Sequence, residues 1–133
     1  MGTLVVDAWA LVGYMRDESC AADIEILLKR AALGEVALAI ASVNWGEVVY
    51  RVARQHAVAV EAVVARLDLL PIEIVPADRD MTILAARLKA ERRLDYADSF
   101  AAALALSLDA PLMTGDPHFR ELLPELSLEW VGE

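Results

Sequence analysis

Short apolar runs alternate along this chain with longer segments whose apolar residues recur at helical spacing. Thr3 to Val6, Val36 to Ala41, Ile72 to Val75 and Leu112 to Thr114 read as strands, and Leu128 to Val131 as a candidate edge strand. Between them lie the helical patterns. Ala8 to Met15 is a short one. Cys20 to Leu33 carries Ile24, Leu27, Leu28 and Ala31 on one face and is closed by Gly34. Asn44 to His56 turns Val48, Val49 and Val52 inward, and Val58 to Leu69 is stopped by Pro71. Asp78 to Arg93 spaces Met81, Leu84, Ala85 and Leu88 for a core. Tyr96 to Leu108 is Ala-rich and apolar almost all round, which predicts the most buried helix. Pro117 to Leu123 is a short last helix. Strands alternating with helices predict an α/β fold, a three-layer α/β/α arrangement around a central parallel sheet.

No linker or repeat breaks the pattern, so the 133 residues are read as one domain, 1–133. The apolar fraction of 58% is high, and the part beyond the core is available to cover a partner-binding face. Cys20 is the only cysteine, which rules out an internal disulfide and a thiolate metal cluster and fits a reducing, cytoplasmic compartment. No apolar run approaches the roughly 18 residues of a membrane span. The N-terminal run has no basic stretch before it and stops at Asp7, unlike a signal peptide.

The formal charge is 12 − 21 = −9. That balance repels nucleic acid, so any such role needs metal ions and a local basic patch. It also favours a basic protein partner.

Four acids change the picture: Asp7, Glu47, Asp98 and Asp116. Each sits where an apolar run ends or a helix begins. Each also has a plain explanation. Asp7 can cap the helix starting at Ala8. Asn44 and Glu47 have capping-box spacing. Asp95 can cap the helix that holds Asp98, and Asp98 then suits the helix dipole. Asp116-Pro117 is a common helix opening. Capping does not explain why apolar strands run straight into Asp7 and into Thr114-Gly115-Asp116. In a parallel sheet these places meet at one edge. Two carboxylates about 5 Å apart repel by roughly 3 kcal/mol at an effective dielectric near 20. Either some acids protonate, or a divalent cation offsets the repulsion. Mg²⁺ suits such oxygen ligands, and Mn²⁺ fits too.

These segments resemble a PIN domain, in particular the VapC-like ribonuclease toxins of toxin–antitoxin pairs. The resemblance covers nearly the whole chain. It rests on the strand leading into Asp7, on Glu47 in the helix after the second strand, on Asp95-Tyr96-Ala97-Asp98-Ser99-Phe100-Ala101-Ala102-Ala103, and on Thr114-Gly115-Asp116-Pro117-His118-Phe119. It implies that Asp7, Glu47, Asp98 and Asp116 bind the metal and that Thr114 is a supporting hydroxyl. It implies a Mg²⁺- or Mn²⁺-dependent endoribonuclease, with RNA as substrate, a cognate antitoxin as partner and a homodimer as the common assembly. One or two ions satisfy the same residues. One position departs: many relatives carry a small polar residue two places after the first Asp, and Trp9 stands there instead.

Other chemistries fit less well. A two-histidine ribonuclease would need His56 and His118, and both read as surface residues. Ser42 and Ser99 lack a His/Asp arrangement. No glycine-rich phosphate loop is present. Arg87, Lys89, Arg92 and Arg93 form a charged helix end, either a solvated face or a set of contacts to RNA phosphates. Arg51 can pair with Glu47 one turn away or meet substrate. Trp9, Trp45 and Tyr96 lie near the acids, with apolar packing as the simpler role and base stacking as the other. Two different classes remain as alternatives. One is a non-catalytic PIN-like binding module. The other is a receiver-type phospho-acceptor regulator, which needs an acidic pair after the first strand and a late lysine that this chain lacks.

Overall fold

The structure is a computed structural model that describes residues 2–130. Five strands form one sheet: β1 (Gly2–Val6), β2 (Val36–Ala41), β3 (Ile72–Val75), β4 (Leu112–Thr114) and β5 (Leu128–Trp130). Their order is β3-β2-β1-β4-β5, and every pairing is parallel. The helices are α1 (Ala8–Met15), α2 (Ala21–Ala32), α3 (Ser42–His56), α4 (Val60–Leu67), α5 (Arg79–Glu91), α6 (Tyr96–Leu108) and α7 (His118–Leu122). No helix among the described residues is long and apolar enough to cross a membrane.

Successive strand residues face opposite sides of a sheet, and here that alternation sorts the core into two layers. Val6, Leu38, Ile40 and Met113 pack with α1 to α4, whereas Val5, Ala39, Ala41 and Leu112 pack with α5, α6 and α7. The α6 side uses small strand residues, Ala39 and Ala41, opposite Ala101, Ala102, Ala103 and Ala105, so a helix can sit close to the sheet. Residues Ser99 to Ala105 of α6 are all buried, as its all-round apolar pattern predicts.

The strand order decides where a ligand can sit. It runs one way from β1 to β3 and the other way from β4 to β5. The crevice between β1 and β4, outside their carboxyl ends, is the switch point at which open α/β sheets bind ligands. Asp7 follows β1, and Thr114 is the last residue of β4. Receiver domains have the order 2-1-3-4-5, so this topology removes the receiver alternative.

Element bounds differ from the sequence pattern at several ends. α3 begins at Ser42, because β2 turns into it directly. The Ser42 hydroxyl accepts a hydrogen bond from the Ala77 N–H at 3.0 Å. α4 is shorter than expected, with Ala59 extended before it. Pro117 precedes α7, and Asp78 caps α5 through the Met81 N–H at 2.9 Å. β5 is at the sheet edge, as expected; Val131, assigned to the same strand from sequence, lies outside the described residues.

Candidate active site

The β1–β4 pairing carries the first link. Val6 is in register with Met113, and the Asp7 N–H reaches the Met113 carbonyl at 3.4 Å. Asp7 is 2% exposed. Its Oδ1 accepts a hydrogen bond from the Ala10 N–H at 2.9 Å, so it does cap α1. The cap and a charge site coexist. Burial pushes the Asp7 carboxyl up to about 7, with Asp98 and Asp116 adding repulsion, while the Thr114 hydroxyl and the Ala10 N–H work in the opposite direction.

Thr114 is fully buried, and its Oγ1 accepts the Asp116 N–H at 3.0 Å. It therefore fixes the loop after β4 and faces Asp7 at the same time. Asp116 turns its Oδ1 toward His118, accepting the backbone N–H at 3.0 Å and lying 3.1 Å from Nδ1. His118 itself is exposed, as the sequence suggested, and its contact with Asp116 was not foreseen.

Asp98 enters from the first turn of α6. Its carboxyl is raised to about 6, by burial first and then by Asp116, Asp95 and Glu47, with His118 opposing. Glu47 projects from α3 and pairs with Arg51 at 3.2 Å, the partner its i,i+4 spacing suggested. Thus the four acids fall within electrostatic reach at the carboxyl end of the sheet. Arg93, Leu94, Asp95, Asp98, Asp116 and His118 line an open cleft there of about 300 Å³.

The side chains do not stand as a ready-made cage. Among the described residues, no three His, Cys, Asp or Glu groups come together as metal ligands. The contacts explain this: Glu47 leans on Arg51, Asp116 on His118, and Asp7 on the Ala10 N–H. The donor set still fits a hard divalent cation. It is all oxygen, and two of its members have pKa values raised by burial and by neighbouring carboxylates.

Two capping expectations are corrected. Asn44 lies inside the first turn of α3, so Asn44 and Glu47 do not make a capping box. Asn44 is 1% exposed, and its side-chain amide donates to the Ala97 carbonyl of α6 at 2.8 Å, with its own Oδ1 left without a partner. It thereby ties the helix of Glu47 to the helix of Asp98. Asp95 occupies the cap position of α6, but its side chain makes no cap bond; its carbonyl accepts the Ser99 N–H and hydroxyl instead. Ser42 and Ser99 are both engaged in such backbone bonds.

Trp9 takes the simpler role read from sequence, apolar packing, but on a surface the sequence did not indicate. The indole ring lies against Gly115 so closely that a Cβ at that position has no room. Trp9 thus packs over the backbone between Thr114 and Asp116 while remaining partly exposed. A buried amide in the first turn of a helix and a glycine between two site residues were the available signals.

The comparisons with known proteins agree with this fold. The profile of the PIN domain matches residues 4–122, and the chain belongs to the PIN domain family. Among solved structures, VapBC2 from Rickettsia felis bound to a promoter DNA fragment matches with a TM-score of 0.70 at 21% identity, covering 97% of this chain and 98% of that one. DNA-bound VapBC from Salmonella typhimurium matches with a TM-score of 0.71 at 17% identity, covering 98% of each chain. VapBC-5 from Mycobacterium tuberculosis, described as a member of a toxin–antitoxin family, matches with a TM-score of 0.59 at 22% identity over 100% of both chains. At such identities the likeness speaks to the fold. No curated protein matches the chain.

Proposed function

We propose that this chain is a metal-dependent endoribonuclease, the toxin of a toxin–antitoxin pair. The observation that supports it best is the buried Asp7 at the sheet's switch point, its pKa raised in the company of Asp98 and Asp116. The family membership and the VapBC likeness point the same way.

Asp7, Glu47, Asp98 and Asp116 would hold Mg²⁺ or Mn²⁺. When bound, such an ion offsets the carboxylate repulsion, polarises a phosphoryl oxygen and makes water a better nucleophile. The rest falls to the chain. A site carboxylate accepts the proton of the attacking water. The Thr114 hydroxyl steadies Asp7 and, through the Asp116 N–H, the loop after β4. His118 holds one oxygen of Asp116 in place, and Arg51 keeps Glu47 aligned along α3. In-line attack on phosphorus then breaks the phosphodiester.

The cognate antitoxin and a homodimer belong to the same proposal. The solved relatives are toxin–antitoxin complexes, and an acidic chain suits a basic partner segment.

A non-catalytic PIN-like module is the second reading, favoured by two facts: Glu47 is already paired with Arg51, and among the described residues no closed ligand cage stands ready. Incubation with mixed single-stranded RNA separates the two. The proposal expects cleavage in Mg²⁺ that is lost in EDTA and in Asp98→Asn. Intact RNA under every condition would favour the binding module.

A further inference from the structure

The charged end of α5 divides into residues with different fates. Arg92 is the C-cap of α5, and its guanidinium donates to the Leu122 carbonyl at 3.1 Å and to Glu125 at 3.2 Å. Leu94, two residues on, is 1% exposed. Arg93 lies between these two anchors. It is exposed, it lines the cleft that holds Asp98 and Asp116, and it pairs with no carboxylate among the described residues. Arg87 and Lys89 are exposed on α5 and do not line that cleft.

Anchors on both sides hold the Arg93 backbone at the rim of the cleft, and the planar fork of an arginine matches the oxygens of a phosphate. An acidic protein that takes an anionic polymer needs such a cation at the rim of its site. We propose that Arg93 is the substrate-binding arginine of this cleft and contacts a backbone phosphate of single-stranded RNA next to the one that reacts. This rests on the nuclease reading of the same acids. Arg93 grips the strand; it does not take part in bond breaking. Arg92 is structural, and Arg87 and Lys89 are solvated.

The test is steady-state cleavage of a labelled mixed-sequence RNA in Mg²⁺ across a KCl series, with Arg93→Ala, Arg93→Lys, Arg92→Ala and Arg87→Ala beside the unaltered protein. Arg93→Ala should raise KM about tenfold, the scale of one charge-assisted contact, with kcat within about twofold. Its log kcat/KM against log salt should lose about 0.7 of slope, one phosphate on a single strand. Arg93→Lys should keep the slope. Arg92→Ala should lower the melting temperature, and Arg87→Ala should leave KM unchanged. Unchanged KM and slope in Arg93→Ala, or a fall in kcat alone, would overturn the assignment while leaving the nuclease reading intact. An unaltered protein that does not cleave RNA would overturn both.

Discussion

Two clefts of nearly equal size lie at opposite ends of the sheet. The carboxyl-end cleft is about 300 Å³, and the other, lined by Ala105, Leu106, Asp109, Ala110, Pro111, Glu125, Leu126 and Ser127, is about 310 Å³. Each contains acids, so neither volume nor acidity distinguishes them. The placement of the carboxylates does. Asp109 and Glu125 are exposed; Asp109 sits in the left-handed cap at the end of α6 (φ 49°), and Glu125 is paired with Arg92. Those are the roles of helix-ending and surface-pairing acids. At the carboxyl end, Asp7 is buried and Asp98 half-buried; Asp98 and Asp116 push the Asp7 pKa up, and Asp116 does the same to Asp98. Carboxylates perturbed in this way cluster at functional sites.

Substitutions that exchange the character of the two ends break this comparison most sharply. Asp98→Asn should reduce RNA cleavage by more than about a hundredfold, the scale of losing a group that stabilises charge at the reacting centre. Asp109→Asn should leave the rate unchanged. If both variants lost activity equally, the distinction between the ends would fail.

Stability should move in the direction opposite to activity. Between its unfolded value of 3.8 and its folded value of about 7, Asp7 binds more proton in the folded state. Stability of the metal-free protein therefore falls as pH rises through that window. The Asp7 share is on the order of 4 kcal/mol, from about 1.4 kcal/mol per pKa unit. Asp98, raised to about 6, acts in the same sense. Asp7→Asn retains a side-chain oxygen for the Ala10 N–H and removes the buried charge, so at pH 8 without metal it should melt higher than the unaltered protein. Thermal melts from pH 4 to 8 check this, and a lower melting point at pH 8 would contradict it.

A smaller effect sharpens the picture of how the site is held. Asn44→Ala removes the amide tie from α3 to Ala97 and should cost about 1 kcal/mol, since the lost bond is partly offset by removal of an unpartnered Oδ1. It should also weaken metal-induced stabilisation, because Glu47 and Asp98 then ride on helices that move independently. Denaturant melts with and without Mg²⁺ read both. Smallest of all, Glu125→Gln at the other end should change stability by less than about 1 kcal/mol, as for an exposed ion pair.

Most of the fold was legible because the apolar period changes so plainly along the chain. Val36 to Ala41 and Tyr96 to Leu108 match the observed β2 and α6 residue for residue. Errors collect at helix boundaries, where tertiary contacts choose among several local options. Ser42 could begin α3 because Ala77 supplies its partner, a contact 35 residues away. The same limit applies to the site. Asp7 and Asp116 could be found from strands that end in acids. Their neighbourhood could not, because the bond from Asn44 to Ala97 and the seat of Trp9 on Gly115 depend on packing between remote segments. Arg92 and Arg93 show it best: adjacent and identical in sequence, one is tied down and the other lines the cleft.

Whether these acids share a divalent cation is decided by melting curves with Mg²⁺ or Mn²⁺ at pH 5 and pH 8. An ion at a hundred times its Kd adds about 2.7 kcal/mol, a rise of roughly 5–10 °C for a chain of this size. A shared cation gives that rise at pH 8, a much smaller one at pH 5 where protons compete for Asp7 and Asp98, and none in Asp7→Asn. A melting temperature that ignores both ions at pH 8 would contradict it.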